Sequence, residues 1–265
     1  MSPQVERDLA LIREAALAAG AQAQVLRAAG LTTLLKPDKS PVSNADLAVD
    51  AALKAVLTQA RPDYGWLSEE TTDDSDRLSR ERLFVVDPID GTRAFVKGRP
   101  WWTVCIAVVE RGQPVAGVVY APDRNELYCA AAGFGARLND QPIHVAERDN
   151  LEGCAMLADP AMFTYPEWPD PWPPMQIAGR NSIAYRLCSV ASGEFDAALA
   201  LSPKSEWDLA ASALIAAEAG CVVTDDHGRP LAYNQPNTTS TGLLCAGPAL
   251  HQLILARLAA IAQPD

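Results

Sequence analysis

Residues 84–95 read FVVDPIDGTRAF and place two acids directly after an apolar run. Asp87 and Asp90 are three positions apart around a proline, and a Gly-Thr pair follows them. Aspartate, proline and glycine are common turn residues, so one interpretation is a plain turn at the end of a strand. The other is a metal site, because Asp-Pro-Ile-Asp can aim two carboxylates and the Ile89 carbonyl at one point. Other acidic positions in the chain bear on the choice.

The bulk composition is that of an ordinary globular protein. The chain has 265 residues, of which 49% are hydrophobic and 21% charged. A formal net charge of −11 and a pI near 4.7 argue against a nucleic acid polymer or an anionic membrane as partner. The six cysteines never form a CxxC pair, which favours reduced thiols over zinc ligands. We expect a cytoplasmic protein without a secretory signal or integral membrane contact.

Hydrophobic periodicity predicts helices first and strands next. An amphipathic helix is expected from Ser2-Pro3 to about residue 30, with a break near Gly20 as an alternative. Residues 31–35 are predicted as a short strand or the end of that helical hairpin. A second helix is expected over 46–60, with these residues on its buried face: Val49, Leu53, Val56, Leu57 and Ala60. Strands are then predicted at 65–70 and 83–87, followed by a hairpin over 103–122 that turns near Arg111-Gly112 and a tight turn at Asn139-Asp140.

After about residue 150 strands and helices alternate. Strands are predicted near 154–158, 195–201, 221–224 and 242–247, and helices over 182–193, 205–220 and 248–262. This pattern predicts two layered αβ halves, 1–150 and 151–265. The Pro- and Trp-rich stretch 163–176 is expected to be a surface excursion, functional or merely variable.

Carboxylates recur at the ends of predicted elements. They are Asp46, Glu69, Glu70, Asp87, Asp90 and Asp208. Each has a plain structural explanation: Ser43-x-x-Asp46 and Ser205-x-x-Asp208, for example, have the spacing of a helix capping box. Taken together they match what Mg²⁺ binds in proteins, which is a few carboxylates completed by water and substrate phosphate. Two Mg²⁺ ions in a two-metal site would offset the negative charges of four of these acids, which are Glu69, Asp87, Asp90 and Asp208.

The residues after the second aspartate add a phosphate-binding element. Gly91 and Thr92 are expected to open a short helix whose amides face the same point, and helix starts bind phosphate oxygens. Thr92 could hold a water whose proton passes to Asp46. Carboxylates for metal beside amides for phosphate are typical of a metal-assisted phosphatase.

Three segments resemble the signature motifs of the inositol monophosphatase superfamily, in the same order and spacing. They are LSEE (67–70), DPIDGTRAF (87–95) and EWDLAAS (206–212). Members are Mg²⁺-dependent, lithium-sensitive phosphatases, and the resemblance implies an α/β fold of layered α+β type, an αβαβα sandwich. It implies that 1–150 combines helices with a mainly antiparallel sheet and carries most metal ligands, and that 151–265 supplies Asp208 and substrate contacts.

Within the superfamily the chain is similar to bacterial 3'(2'),5'-bisphosphate nucleotidases. The segments that carry this likeness are KPDKSPVSNAD (36–46), LSEE (67–70), 102–122 and GFGARLNDQPI (133–143). Such enzymes remove the 3'-phosphate from adenosine 3',5'-bisphosphate, a by-product of sulfate assimilation. Ser43 stands where a threonine is common, and 178–186 stands where many nucleotidases carry Gly-Ser-Ser, so Ser182 is a candidate nucleotide contact.

The resemblance also implies roles for individual residues. The implied metal ligands are Glu69, Asp87, the Ile89 carbonyl, Asp90 and Asp208, with Asp87 bridging two Mg²⁺ ions. The implied substrate or phosphate contacts are Asp90, Gly91, Thr92, Ser182 and Asp208. Thr92 with Asp46 would activate the water that attacks in line, without a phosphoenzyme, and Glu70 would assist a water or a weaker third ion.

Several alternatives stay open at this point. Lys36, Asp38 and Lys39 lie in a loop that closes over the metals in the family, so it is either a lid or a plain solvated loop. The substrate is a small phosphorylated metabolite, and inositol-1-phosphate or a sugar phosphate is the alternative to the nucleotide. A non-catalytic binding relative is disfavoured because every acid the mechanism needs is present. Relatives include monomers and homodimers.

Overall fold

The computed structural model describes residues 1–37, 40–166 and 168–261. The helices are α1 (Pro3–Ala29), α2 (Asn44–Ala60), α3 (Thr92–Val96), α4 (Ile183–Ala191), α5 (Glu206–Glu218) and α6 (Pro248–Ile261). Strands of the first half are β1 (Thr33–Leu35), β2 (Pro41–Ser43), β3 (Gly65–Ser68), β4 (Arg82–Asp90), β5 (Thr103–Glu110), β6 (Gln113–Ala121), β7 (Glu126–Ala131), β8 (Ala136–Leu138) and β9 (Gln141–Ile143). Those of the second half are β10 (Ala155–Leu157), β11 (Gln176–Ala178), β12 (Ala197–Ala200), β13 (Lys204–Ser205), β14 (Val222–Thr224), β15 (Thr239–Ser240) and β16 (Leu243–Ala246).

The strands form two main sheets. The larger has seven strands in the order β3-β4-β5-β6-β7-β8-β9 and is antiparallel except for the β3–β4 pair. The smaller has five strands in the order β11-β10-β12-β16-β14 and mixes parallel and antiparallel pairs. β1 pairs with β2, and β13 pairs with β15, as separate two-stranded ladders.

Helices cover both faces of the large sheet. Phe84 and Val86 of β4 pack with residues of α1 and α2, whereas Leu83 and Val85 point to the opposite face and pack with α4 and α5. The alternation of side chains along a strand sends neighbours to opposite faces, and burial of both faces explains the unbroken apolar run. α4 and α5 also contact the small sheet, whose other face is covered by α6. The layers are therefore αβαβα, which confirms the predicted sandwich.

Both predicted hairpin turns are present. Arg111 and Gly112 have φ values of 50° and 78°, and Asn139 and Asp140 have 47° and 65°. Two successive positive φ values are the signature of a two-residue turn whose twist matches the flanking strands. These turns close the β5–β6 and β8–β9 pairs.

The structure confirms one long first helix, rejects the alternative of a break near Gly20 and corrects part of the buried face of α2. α1 runs through Gly20 without a break, and a Cβ there would lie 2.6 Å from the Tyr120 ring. The glycine therefore allows close packing of the helix on β6. On α2, Val49, Leu53 and Leu57 are buried as predicted, but Val56 is 52% exposed and Ala60 is exposed too.

The Pro- and Trp-rich stretch is not a plain surface excursion. Trp168 is only 9% exposed and donates its indole N–H to the Met162 carbonyl at 2.6 Å. Trp172 makes edge-to-face ring contacts with Trp168 and Phe163. This aromatic cluster packs with the core beneath α6, so apolar burial holds the stretch although it has little regular structure.

α4 and α5 belong to 151–265 but pack on the large sheet of 1–150. The division of the chain at residue 150 stays a prediction. None of the helices in the described ranges has both the length and the apolar character that crossing a membrane requires.

Candidate active site

A β-bulge in β4 brings the two predicted aspartates to the same side of the strand. Asp87 is opposite Cys105 of β5, and Asp90 is opposite Thr103, so three steps on β4 match two on β5. In a regular strand residues three apart face opposite sides, and the extra residue cancels this alternation. Pro88 lacks an N–H and is tolerated at such an irregularity. The aspartates therefore lie inside a bulged strand, which corrects the predicted turn.

Asp208, in the first turn of α5, joins these two residues. One carboxylate oxygen from each of Asp87, Asp90 and Asp208 lies within 4.8 Å of the others. Asp90 accepts hydrogen bonds from the Ser182 hydroxyl at 2.6 Å and the Ala184 amide at 2.7 Å, at the start of α4. Asp208 accepts one from the Ser205 amide at 3.0 Å. The start of α4 thus holds the Asp90 carboxylate, and Ser205 of β13 holds that of Asp208.

Asp87 differs from its neighbours in the use of its oxygens. Its Oδ1 accepts a hydrogen bond from the Ile89 amide at 3.0 Å. Its Oδ2 is buried and has no hydrogen-bond partner among the described residues. A buried carboxylate oxygen without a partner is costly unless a cation compensates it. The oxygen-only donor set is the kind that Mg²⁺ prefers, so these residues fit a divalent cation.

The electrostatics of the cluster support the same conclusion. Burial, together with repulsion from neighbouring acids, raises the pKa of Asp87 and Asp208 well above the usual range. Burial also raises the pKa of Asp90 to about 6, although hydrogen bonds from Ser182 and two α4 amides oppose the shift. Without a cation, the folded chain holds these acids close at a cost in stability.

Asp46 serves both a helix and the site. Its Oδ2 accepts hydrogen bonds from the Ser43 amide at 2.8 Å and the Ser43 hydroxyl at 2.5 Å, which forms the capping box at the start of α2. Its Oδ1 accepts a hydrogen bond from the Thr92 hydroxyl at 2.9 Å. The Thr92 hydroxyl is also 3.1 Å from the Ile89 carbonyl oxygen. The capping and functional interpretations of Asp46 are therefore compatible.

Glu69 and Glu70 are paired with a lysine. The Lys36 ammonium lies 2.8 Å from Glu69 Oε1 and 2.7 Å from Glu70 Oε1. Burial raises the pKa of Glu70 to about 7 against the opposing effect of Lys36. Asp38 and Lys39 lie outside the described residues, so the lid stays a prediction.

A cavity of about 560 Å³ opens over the cluster. The predicted site residues on its wall are Glu69, Asp87, Asp90, Gly91, Thr92 and Asp208. Asp46, Glu70 and Ile89 do not line it. Ser182 has no exposed surface, and its hydroxyl holds Asp90, so it cannot touch a nucleotide in this arrangement. This corrects its predicted role as a substrate contact.

Further cavity residues had not been singled out from the sequence. They are Asp159, Met162, Asn181, Arg186 and Lys204. They come from separate elements, so no local motif joins them. No spacing in the sequence points to them, since Lys204 lies in β13, before α5 begins, and shares no helix face with Asp208.

The sequence profile of the inositol monophosphatase family matches residues 5–263. Nus factor SuhB of Pasteurella multocida is 34% identical over 86% of this chain and 86% of its own. The 3'(2'),5'-bisphosphate nucleotidase CysQ of Escherichia coli is 34% identical over 75% of this chain and 81% of its own. An inositol-1-monophosphatase of Mesorhizobium japonicum is 36% identical over 77% of this chain and 79% of its own.

Solved structures agree with the fold. The IMPase of Thermotoga maritima has a TM-score of 0.84 and 25% identity, covering 97% of this chain and 98% of that one. The extragenic suppressor protein suhB of Bartonella henselae has a TM-score of 0.82 and 28% identity, covering 95% and 98%. With the carboxylate cluster in place, these similarities show that the chain belongs to the inositol monophosphatase family of metal-dependent phosphatases.

Proposed function

We propose that this chain hydrolyses a 3'(2'),5'-bisphosphate nucleotide, such as adenosine 3',5'-bisphosphate, to AMP and phosphate. The observation that carries the phosphatase chemistry is the unpartnered, buried Asp87 oxygen beside Asp90 and Asp208. We assign the two ions to Glu69, Asp87, the Ile89 carbonyl, Asp90 and Asp208, with a weaker third near Glu70. Bound Mg²⁺ would offset the carboxylates, bind phosphate oxygens and lower the pKa of water.

The chain's own residues position the reacting groups. The Thr92 hydroxyl, fixed by its hydrogen bond to Asp46, would accept a hydrogen bond from the attacking water. Asp46 is buried, which raises its pKa against the hydrogen bonds from Ser43 and Thr92, and it would receive the proton through Thr92. The amides of Gly91 and Thr92 would hold the phosphate oxygens during in-line attack.

Two observations favour the nucleotide over a smaller ester. The cavity volume of about 560 Å³ is large enough for a nucleotide. The Tyr165 side chain lies on its wall and is 47% exposed, so its ring is available for stacking on a base. The tryptophans of the same stretch contact one another and Phe163 in the core instead. Inositol-1-phosphate or a sugar phosphate is the alternative, since relatives with both kinds of name match at similar identity.

Phosphate release tests the proposal. Purified protein with Mg²⁺ should turn over adenosine 3',5'-bisphosphate with a kcat/KM at least about tenfold above that for inositol-1-phosphate. Chelation should abolish the release, and added Li⁺ should lower it. Efficient turnover of the inositol ester alone would overturn the substrate assignment but leave the chemistry intact. The proposal includes a cytoplasmic location and, as the alternative to a monomer, a homodimer, which light scattering would detect.

A further inference from the structure

We propose that Lys204 and Arg186 form a subsite for a second anionic group of the substrate, the phosphate that is not cleaved. This inference rests on the proposed phosphatase activity and assigns a place to the additional charge of a bisphosphate. Neither residue takes part in the metal or water chemistry described above.

Both cations are attached to elements that also hold the carboxylate cluster. Lys204 lies in β13, where it pairs with Ser240 of β15, four residues before Asp208. Arg186 lies on α4, one turn after Ser182, whose hydroxyl holds Asp90. Residues four apart lie on the same side of a helix, so Arg186 is on the side that faces the site. Both side chains line the cavity together with Asp90 and Asp208.

Neither cation has a carboxylate partner. The Lys204 ammonium donates to the Ser202 carbonyl and hydroxyl oxygens at 3.0 and 2.7 Å, and to the Pro203 carbonyl at 3.0 Å. The Arg186 guanidinium donates to the Arg180 carbonyl through two of its nitrogens. These acceptors are neutral, and among the described residues no ion pair within 4.0 Å involves either side chain.

The other half-buried cations among the described residues either pair with an acid or lie over an aromatic ring. Arg27 pairs with Asp123 and Arg61 with Asp8, whereas Arg180 lies over Trp101 and Arg257 over Trp172. Charged groups removed from water normally acquire such partners because desolvation is costly. The chain has 33 acids for 22 bases, so partners are plentiful. Two unpaired cations on one cavity wall therefore indicate an anion supplied from outside the chain.

The cavity wall offers a phosphate two kinds of contact, through metal ions on its acids or directly with its cations. Around Asp87, Asp90 and Asp208 the wall is acidic, and a phosphate can bind there only with metal. Lys204 and Arg186 add two positive charges to this wall, and they can bind a phosphate directly through charge-assisted hydrogen bonds. Burial lowers the pKa of both cations although nearby acids oppose the shift, Asp208 and Asp90 at Lys204 and Asp90 and Asp159 at Arg186. An anion in contact with both would relieve this penalty.

The test compares two substrates that differ only in the second phosphate: adenosine 3',5'-bisphosphate and adenosine 3'-monophosphate. With Lys204→Gln, kcat/KM for the bisphosphate should fall about 10- to 100-fold, while that for the monophosphate stays within about twofold. Arg186→Gln should act in the same direction, and Arg186→Lys should recover part of the loss because it keeps the charge. The exposed Lys97→Gln is the matched control for loss of one positive charge.

An equal fall for both substrates would overturn the subsite, because the cations would then serve the phosphate that is cleaved. Unchanged bisphosphate turnover in both Gln variants would overturn it as well. If the wild-type protein hydrolyses neither substrate, the proposed function fails instead. Calorimetry with AMP, which carries only the second phosphate, then decides: Lys204→Gln should raise its Kd about tenfold, and no binding or an unchanged Kd rejects the subsite.

Discussion

Hydrogen bonding divides the acids of the site into those that are satisfied by the chain and one that is not. Asp90 accepts three hydrogen bonds from the start of α4, spread over both oxygens. Asp87 accepts one, and its second oxygen has no partner among the described residues. Asp90 is thus oriented by the protein alone, whereas Asp87 depends on a cation to complete its contacts.

At Asp90 we predict that Asp90→Asn lowers kcat/KM by about 10³-fold or more, because one proposed ligand loses its charge and its amide nitrogen cannot accept a hydrogen bond from the start of α4. Asp63→Asn is the matched control, since Asp63 is exposed and lies away from the cavity. Phosphate release and Mg²⁺ calorimetry measure the effect, and circular dichroism checks the fold. Activity near that of the wild type would reject the assignment of Asp90 as a ligand.

At Thr92 the hydroxyl is the group under test. Thr92→Val keeps the shape but removes the hydrogen bond to Asp46, and kcat should fall about 10²- to 10⁴-fold. Thr92→Ser keeps the hydroxyl and should stay within about tenfold of the wild type. Initial rates at saturating substrate separate the two variants. A Thr92→Val variant as active as Thr92→Ser would show that the hydroxyl is not needed.

At the scale of elements, two helices begin with the same device. α2 starts with Ser43-x-x-Asp46 and α5 with Ser205-x-x-Asp208, and each aspartate accepts a hydrogen bond from the amide of its serine. A capping box uses one carboxylate oxygen and leaves the other available. Local stability of the helix start and orientation of a site carboxylate are therefore the same interaction.

The connection between β4 and α3 leads to a prediction about backbone strain. Gly91 has φ 88°, and a Cβ there would lie 2.9 Å from the Trp101 carbonyl oxygen and 3.0 Å from the Ser182 amide. Gly91→Ala should lower the free energy of unfolding by about 2–3 kcal/mol and reduce activity at least about tenfold. Gly98→Ala is the control, because Gly98 has φ 64° but nothing within 4 Å of the added atom, so its cost should be about 1 kcal/mol. Urea unfolding of both variants measures the difference, and equal costs would contradict it.

At the scale of the whole molecule, the acidic cluster makes stability depend on metal and pH. Glu70 and Asp90 have folded-state pKa values of about 7 and 6, above their ordinary range near 4, and those of Asp87 and Asp208 are raised as well. Between pH 4 and 7 the folded chain therefore binds more protons than the unfolded chain. The stability of the metal-free protein must decrease as pH rises through this window.

We therefore predict that in EDTA the Tm is about 3–6 °C lower at pH 8 than at pH 6, and that Mg²⁺ at pH 8 restores most of the difference. Asp87→Asn should reduce the pH effect in EDTA, because it removes one of the repelling charges. Burial lowers the pKa of His251, so this residue makes stability rise with pH, opposite to the acids. Its effect is the same in the wild type and in Asp87→Asn and cancels in the comparison. Differential scanning calorimetry provides the comparison. A Tm that rises from pH 6 to 8 more in the wild type than in Asp87→Asn would contradict the prediction.

By itself the sequence determined most of the longer helices and strands, the αβαβα class through its resemblance to a family, and the acids Asp87, Asp90 and Asp208 that the fold brings together. Periodicity and capping signals act over a few residues, so 205–220 and the hairpin at Arg111-Gly112 could be recognised locally. The tertiary structure alone decided the bulge between Asp87 and Asp90, because it is defined by register against β5. It also buried Ser182, whose hydroxyl donates to Asp90, and it placed Lys204 and Arg186 on the cavity wall. The distances that decide these roles join residues far apart in the chain, and only packing of the layers fixes such distances.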